Sequence, residues 1–318
     1  MRDCLNRRDF LAASAAVGAS AMVAGRLEAA EFKTKLHKSL IGTPTEKTLA
    51  AWKEAGFEGM ESTAWNVTPE KAAEGRKIAE RLGMRIHSVL YGWANFNRED
   101  RFKPDLANVE KALHACAGYG GKNLLLVTCR IGGKPPEPWE FDIEFDEKTG
   151  HIEQVVDGDN APYADYIKAH DHAVDCSRKA VELLIPTAEK AGVVIALENV
   201  WNNLWVKPAI FQNFIASFDS PWVQCYLDIG NHVKYAPPEE WIRTHGKQIV
   251  ECHVKDFKLN DDGHGGRFCN IREGSVDWPL VREELDELGY NGWMTIEGSG
   301  GLSLEERSRR LDLINAGE

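Results

Sequence analysis

The sequence lacks the features that mark several classes of protein. Its 318 residues include seven cysteines, but they form no CxxC pair and no spacing typical of a disulfide framework. No cluster of lysine and arginine offsets the formal net charge of −11, so nucleic acid is not an expected partner. No GxGxxG or P-loop motif follows the first predicted strand, which disfavours a nucleotide-binding open sheet. Internal repeats and low-complexity linkers are also missing, which favours a single domain.

The N-terminus resembles a twin-arginine export signal. Arg7 and Arg8 precede the tripeptide DFL, and an alanine-rich stretch follows that is too short for a good membrane span. We assign residues 1–30 to a signal peptide and exclude them from the fold. The mature chain is then expected to be periplasmic, with no membrane span. A cytoplasmic protein with an amphipathic tail is the alternative.

Short apolar runs alternate with longer amphipathic segments from about residue 36 onward. The short runs predict strands, and the amphipathic segments predict helices, several of which end at a glycine. This alternation predicts a single α/β domain, a (β/α)₈ TIM barrel, over residues 31–318, with a doubly wound open sheet as the alternative. The eight predicted strands cover residues 36–42, 57–62, 85–92, 123–129, 193–200, 223–230, 249–257 and 293–298.

The connection after the fourth predicted strand, residues 130–164, is too long for a plain barrel loop. Its segment WEFDIEFDEKTGHIEQVV places alternating apolar and polar residues on both sides of EKTG, which predicts a β-hairpin. We expect this insertion to lie near the barrel mouth as a lid or rim. A surface decoration or an oligomer contact is the alternative, and the sequence leaves homo-oligomerisation open.

Four potential metal ligands lie at the ends of the last four predicted strands. They are Glu198, Asp228, His253 and Glu297, in the segments IALENVWNN, CYLDIGNH, ECHVKDF and TIEGSG. Side chains at the C-terminal ends of barrel strands converge, and three carboxylates in one pocket repel each other unless a cation lies among them. The set therefore predicts one divalent ion, Mn²⁺, Mg²⁺, Co²⁺ or Zn²⁺. Singly, each residue also has a structural explanation, such as a turn cap for Asp228 or a core histidine for His253.

These segments resemble the xylose isomerase-like TIM barrels of the sugar (phosphate) isomerase/epimerase superfamily, in particular the L-ribulose/L-xylulose 5-phosphate 3-epimerase branch. The resemblance covers nearly all of the mature chain and rests on LDIGN, PPEEWIRTHGKQIVECHVKDF and REGSVDWPLVREELDELGYNGWMTIEG. It implies that the four residues bind one divalent metal and that Glu198 and Glu297 form the catalytic acid–base pair. The implied reaction is isomerisation or epimerisation of a ketose or keto-sugar, by proton abstraction and a metal-stabilised cis-enediolate.

Six further side chains are predicted to contact the sugar. The segment YGWANFNRED stands where phosphate epimerases are expected to handle phosphate, and its aromatic residues suit a sugar face better than a phosphate. Together with export, this predicts a non-phosphorylated substrate. A solvated surface or rim packing is the structural alternative for several of these residues. The six are Lys255, Asn231, His87, Glu61, Trp93 and Arg267.

Three other functions remain open from the sequence. The same metal and base could drive β-elimination from a 3-keto-glycoside or related keto-sugar, which would make the protein a lyase or dehydratase. Phosphodiester hydrolysis would need extra histidines for a multi-zinc cluster and a basic surface, and the sequence shows neither. A non-catalytic sugar-binding barrel is the third, and the four intact ligands argue against it.

Overall fold

Eight parallel strands close into a barrel in residues 32–318, the part of the chain that the computed structural model describes. The predicted signal peptide, with Arg7 and Arg8, lies outside these residues. The barrel strands follow one another around the barrel in chain order, which confirms the predicted (β/α)₈ fold. They are β1 (His37–Gly42), β2 (Gly59–Ser62), β3 (Arg85–Trp93), β4 (Asn123–Val127), β7 (Val194–Glu198), β8 (Val223–Asp228), β9 (Ile249–Val254) and β12 (Trp293–Ile296).

Helices alternate with the barrel strands, and local sequence sets several of their ends. The side chain of Thr68 accepts a hydrogen bond from the Lys71 N–H, and Pro69 begins the helix that follows. No helix of residues 32–318 is long and apolar enough to cross a membrane. The helices are α1 (Glu46–Glu54), α2 (Pro69–Arg81), α3 (Glu99–Tyr119), α4 (Ala164–Ala191), α5 (Pro208–Ala216), α6 (Pro238–His245), α7 (Trp278–Leu288) and α8 (Leu304–Asn315).

The insertion after β4 contains the predicted hairpin. Strands β5 (Glu144–Phe145) and β6 (Ile152–Gln154) pair antiparallel on either side of EKTG. The Asp146 side chain shapes the turn, because its Oδ1 accepts hydrogen bonds from the N–H groups of Lys148 and Thr149 at 3.0 and 2.7 Å. The alternation of apolar and polar residues therefore identified this hairpin correctly.

A second hairpin follows β9 and was not predicted. The sequence favours one continuous strand to residue 257, but the barrel strand ends at Val254 and the chain then forms β10 (Asp256–Leu259) and β11 (Gly266–Cys269). Asp256 is fully buried and accepts hydrogen bonds from the N–H groups of Arg272 and Gly274 at 2.8 and 3.1 Å. These contacts with a later loop hold the chain outside the barrel, and a short apolar run does not reveal them.

The insertion contacts segments that follow the C-terminal ends of barrel strands. The Trp139 ring stacks on His264, in the turn between β10 and β11, with 3.9 Å between ring centroids. The Arg130 guanidinium lies 4.5 Å from the centre of the Trp93 ring, at the end of β3. These two contacts lie at the rim, whereas the turn of the hairpin contacts the outer helices: Arg178 on α4 donates to the Thr149 carbonyl and Asn213 on α5 donates to the Glu147 carbonyl. That the whole insertion lies near the mouth stays a prediction.

Candidate metal centre

The four predicted ligands converge at the C-terminal ends of four neighbouring strands, β7, β8, β9 and β12. Asp228 on β8 is directly opposite His253 on β9, while Glu198 ends β7 and Glu297 follows β12. One ligand atom from each residue lies within 4.8 Å of the ligand atoms of the other three. Among residues 32–318, this is the one group of acidic, histidine and cysteine side chains found with spacing suited to a metal ion.

The two nitrogens of the His253 ring face different partners. Nδ1 faces the cluster, at 3.2 Å from Glu198 Oε1, 3.1 Å from Glu297 Oε2 and 3.9 Å from Asp228 Oδ2. Nε2 lies 2.7 Å from Oε2 of Glu61, a residue of strand β2. The ring is fully buried, so these contacts rather than solvent fix its orientation.

Asp228 uses its two carboxylate oxygens for different purposes. Oδ1 accepts hydrogen bonds from the N–H groups of Gly230 and Asn231 at 2.9 and 2.7 Å, which fixes the loop after β8. Gly230 is required there, because a Cβ atom would lie 2.4 Å from the carbonyl oxygen of Lys255. Oδ2 is buried, accepts no well-aligned hydrogen bond and faces the cluster. The carboxylate therefore fixes the loop after β8 through Oδ1 and leaves Oδ2 available to a cation.

Burial and mutual repulsion give the carboxyl groups unequal acidities. Burial raises the pKa of Glu198 to about 7, and the charges of Glu297 and Asp228 add to this while His253 opposes it. Burial likewise raises the pKa of Asp228 to about 6, against the opposing charge of Lys255. Burial also acts on Glu297, but the short polar contacts and the charges of His253 and Lys255 outweigh it and hold its pKa well below the ordinary value.

Contacts with the carboxylates also shift the pKa of His253, and they raise it. Burial alone lowers the pKa of a histidine, but the carboxylates of Glu61, Glu198 and Glu297 outweigh this and raise the pKa well above its ordinary value. The buried cluster thus attracts positive charge, whether on an imidazole, an ammonium group or a metal ion.

The donor set fits a divalent cation. Asp228 Oδ2 and Glu297 Oε2 are buried without a well-aligned hydrogen bond, although Lys255 Nζ lies only 3.2 and 2.8 Å from them. Buried oxygens of this kind are uncommon and call for an explanation such as an ion. Three carboxylates and one imidazole suit Mg²⁺, Mn²⁺, Co²⁺ or Zn²⁺. The residues that would hold such an ion are Glu198, Asp228, His253 and Glu297.

Lys255 and Asn231, two of the predicted substrate contacts, lie at the cluster. Besides its two carboxylate partners, Lys255 Nζ donates to Asn231 Oδ1 at 3.0 Å, and Asn231 Nδ2 donates to the carbonyl of Asn199 at 3.1 Å. Both side chains therefore have polar atoms beside the proposed ligands. Their role as substrate contacts stays a prediction.

The structure does not support His87 as a substrate contact. His87 is the third residue of β3, and its ring stacks at 4.5 Å on Trp293, the first residue of β12. Its Nδ1 lies 3.0 Å from Glu251 Oε1, inside the barrel. The residue belongs to a buried polar layer below the proposed ligands, and its ring is covered by neighbouring side chains.

Glu61 is also not placed to contact a substrate. Its side chain is completely buried, with Oε2 on the His253 ring and Oε1 accepting a hydrogen bond from Ser88 Oγ at 3.2 Å. The sequence correctly indicated a carboxylate near the end of β2. It did not indicate that the carboxylate faces His253, one of the proposed ligands, instead of the open mouth.

Trp93 and Arg267 are both exposed, but their side chains lie in different positions relative to the cluster. Trp93 ends β3 at the rim and leaves 41% of its surface accessible, as a sugar-stacking role would require. Arg267 neighbours Phe268 on β11, and the Phe268 ring lies 5.3 Å from Lys255 Nζ. Because side chains alternate along a strand, Arg267 points to the other face of the hairpin, away from Lys255.

Asn199 lies at the site but was not among the predicted site residues. Its Nδ2 donates to the Asp228 carbonyl at 2.8 Å, and its Oδ1 accepts from the Asp228 N–H at 2.6 Å. The sequence does contain an indication of this role, because Asn199 is a polar residue directly after Glu198 at the end of a buried strand. An amide in this position, however, suggests a turn as readily as a site.

A separate cleft of about 540 Å³ lies in the insertion, and none of the four proposed ligands lines it. Its walls combine aromatic rings with carboxylates, and it is open to solvent. The lining residues are Trp139, Glu140, Phe141, Asp142, Val156, Asp157, Asp159, Pro162 and Tyr163.

Part of the chain matches a curated protein of known activity. An L-ribulose-5-phosphate 3-epimerase of Salmonella paratyphi A is 29% identical over 135 residues, which are 42% of this chain and 45% of that protein. The match therefore spans less than half the length of this curated relative. Residues 4–24 match the twin-arginine translocation signal sequence, which indicates export across a membrane.

Solved structures share the fold at low sequence identity. A 3-keto-D-glucoside 4-epimerase from E. coli superposes with a TM-score of 0.63 at 15% identity, covering 88% of this chain and 99% of that one. A xylose isomerase-like TIM barrel protein from Mycobacterium smegmatis, in complex with magnesium, gives 0.60 at 18% identity and covers 86% and 88%. Residues 49–312 match the family model itself, so the chain belongs to the xylose isomerase-like TIM barrel family.

Proposed function

We propose that the protein is a divalent-metal-dependent sugar epimerase or isomerase that acts on a ketose or keto-sugar. The observation that carries the proposal is the convergence of Glu198, Asp228, His253 and Glu297 within 4.8 Å of one another at the barrel mouth. The sugar epimerases among its relatives and structural neighbours support the same reaction class. A bound divalent cation would polarise a carbonyl and the hydroxyl beside it.

In this mechanism Glu198 and Glu297 move the protons. They come from β7 and from the end of β12, with β8 and β9 between them, so they approach the centre of the cluster from two sides. For epimerisation, one carboxylate takes the proton from the carbon beside the carbonyl, and the other returns a proton to the opposite face of that carbon. Return of the proton to the neighbouring carbon instead gives an isomer.

A neutral sugar fits the surroundings better than a phosphorylated one. Lys255 is a basic side chain that contacts the cluster. It is already paired with Asp228 and Glu297, so it is not free to bind a phosphate. The rim carries exposed aromatic rings, with Trp93 and Phe268 at 41% and 44% accessibility, which suit the apolar face of a sugar. Export to the periplasm, which the N-terminal signal supports, would also separate the enzyme from cytoplasmic sugar phosphates.

Hydrogen exchange into a ketose tests this proposal directly. The metal-loaded protein, incubated in deuterated water with a panel of ketoses and keto-sugars, should introduce deuterium at the carbon beside the carbonyl of at least one of them. Mass spectrometry and proton NMR detect the label even when little net product forms. Protein that is fully loaded with Mn²⁺ or Co²⁺ and labels no member of a broad panel would contradict the proposal.

β-Elimination from a 3-keto-glycoside is the second candidate. It uses the same proton abstraction, and the structural neighbour named as a 3-keto-D-glucoside 4-epimerase favours this substrate class. Release of the aglycone from a 3-keto-glycoside, without formation of an epimer, would identify the protein as a lyase. An epimer that retains the aglycone would identify it as an epimerase.

A further inference from the structure

Two glutamate–histidine pairs lie inside the barrel at different depths. Near the C-terminal ends of the strands, Glu61 Oε2 lies 2.7 Å from His253 Nε2. Near the N-terminal ends, Glu251 Oε1 lies 3.0 Å from His87 Nδ1. All four side chains are at least nine-tenths buried, but only His253 has its second nitrogen among carboxylates. The second nitrogen of His87 lies 2.7 Å from the hydroxyl of Ser39.

Glu61 is held in place independently of the proposed metal ligands. Its Oε1 accepts a hydrogen bond from Ser88 Oγ on β3 at 3.2 Å, which leaves Oε2 directed at the His253 ring. In the barrel, β2 and β9 are separated by β1 and β12, so the contact reaches across the interior. Both partners of the Glu61 carboxylate, Ser88 and His253, therefore lie on other strands.

A histidine binds a metal ion through a nitrogen that carries no proton, and its other nitrogen then carries one. Nδ1 of His253 lies 3.2 and 3.1 Å from the Glu198 and Glu297 oxygens, so it is the nitrogen available to the ion. Nε2 must therefore keep its hydrogen and requires an acceptor in a fully buried site. Glu61 supplies that acceptor, and a carboxylate in this position makes the imidazole a stronger donor to metal.

We propose that Glu61 is a positioning residue, which fixes the orientation and tautomer of His253 so that Nδ1 faces the metal ion. This inference rests on the proposed metal centre. It replaces the predicted substrate contact of Glu61 with an action through His253. Glu61 itself touches neither the substrate nor the ion.

Glu61→Gln and Glu251→Gln form a matched pair of variants that separates positioning from general packing. Both replace a buried carboxylate on a histidine by an amide of the same shape, but only Glu61 contacts the ring of a proposed metal ligand. Glu61→Gln should weaken Mn²⁺ binding by about 10- to 100-fold, the range found when a carboxylate behind a ligating histidine is lost. Glu251→Gln should lower thermal stability yet leave the Mn²⁺ affinity close to the wild-type value.

Isothermal titration with Mn²⁺ measures the affinity, and long-range ¹H–¹⁵N NMR of the Zn²⁺-loaded protein reports the His253 tautomer. The wild type should show a proton on Nε2, and Glu61→Gln should show a mixture of tautomers or lost ring order. Mn²⁺ affinity unchanged in Glu61→Gln, or lowered equally in both variants, would overturn the inference alone. A wild-type protein that binds no divalent ion would overturn the metal centre as well, so the two failures are distinguishable.

Discussion

The side-chain amide of Asn199 is hydrogen-bonded to both polar backbone groups of Asp228. Oδ1 accepts from the Asp228 N–H at 2.6 Å, and Nδ2 donates to the Asp228 carbonyl at 2.8 Å. The residue after one proposed ligand, Glu198, thus holds the backbone of the next one. The spacing between β7 and β8 at the mouth is set by this contact as well as by the strand ladder.

Asn199→Ala should therefore affect both stability and metal binding. Two buried backbone groups would lose their partner, at a cost of about 2 to 4 kcal/mol in the free energy of unfolding. Movement of Asp228 should also weaken binding of a divalent ion, measured by titration calorimetry. Asn202→Ala is the matched control, because Asn202 is equally buried but bonds the N–H groups of Leu204 and Trp205. Equal loss of metal affinity in both variants would contradict this role for Asn199.

Asp228→Asn should remove bound metal without unfolding the protein. The asparagine can keep the oxygen that accepts from Gly230 and Asn231, so the loop after β8 is retained. Its amide nitrogen would then replace Oδ2, the oxygen that faces the cluster, and an amide N–H group cannot bind a cation. Elemental analysis should show loss of most of the metal, with circular dichroism unchanged. Full metal occupancy in a folded variant would disprove the ligand assignment.

The metal-free protein should become less stable as the pH rises from about 5 to about 7.5. Burial raises the pKa of Glu198 to about 7 and that of Asp228 to about 6, so the folded state holds protons that the unfolded state has released. The carboxylates raise the pKa of His253 well above its ordinary value, which acts in the same direction. The lowered pKa of Glu297 acts only at more acidic pH, where stability falls as that group is protonated.

Thermal unfolding with and without a chelator measures this effect. The melting temperature of the metal-free protein should fall by roughly 5 °C over that interval, and added Mn²⁺ should restore it at the higher pH. A melting temperature of the metal-free protein that rises over the interval would show that the buried carboxyl groups do not have raised pKa values.

The sequence predicted the barrel and the convergence of the four proposed ligands because both leave local signals. Each barrel strand is a short apolar run, and Glu198 and Asp228 are the last residues of β7 and β8, where a change from apolar to acidic is visible. The sequence shows less clearly how far along its strand a residue lies. His87 and His253 both lie within apolar runs, yet His87 is near the N-terminal end of its strand and His253 is among the proposed ligands. The contact of Glu61 with His253 depends on barrel closure, which no local pattern records.

Export depends on residues outside the described part of the chain. Residues 4–24 match a twin-arginine signal, and Arg7 and Arg8 lie within the match. Replacing both by lysine should retain the precursor in the cytoplasm, because the paired guanidinium groups are the feature that defines this signal. Cell fractionation and mass spectrometry of the N-terminus measure the result. Equal periplasmic amounts of wild-type and variant protein would show that the arginines are not the signal.

Glu198→Gln and Glu297→Gln should each lower turnover by about 10²- to 10⁴-fold, even when excess metal restores occupancy. An amide keeps the size of the side chain and one oxygen that can bind the ion, but it cannot accept a proton from carbon. If the two glutamates were only metal ligands, activity would return in proportion to the bound metal. Measuring turnover against metal content for each variant separates these cases.

The two variants should also differ from each other in hydrogen exchange. Each glutamate is expected to act on one face of the sugar, so a variant that keeps the abstracting carboxylate can still exchange the substrate hydrogen with deuterated water. The other variant should lose exchange and epimerisation together. Running each reaction from both epimers should reverse which variant exchanges, because the abstracting group in one direction is the donor in the other. Loss of exchange by the same variant from both epimers would show that one shared base, rather than two opposed carboxylates, moves the proton.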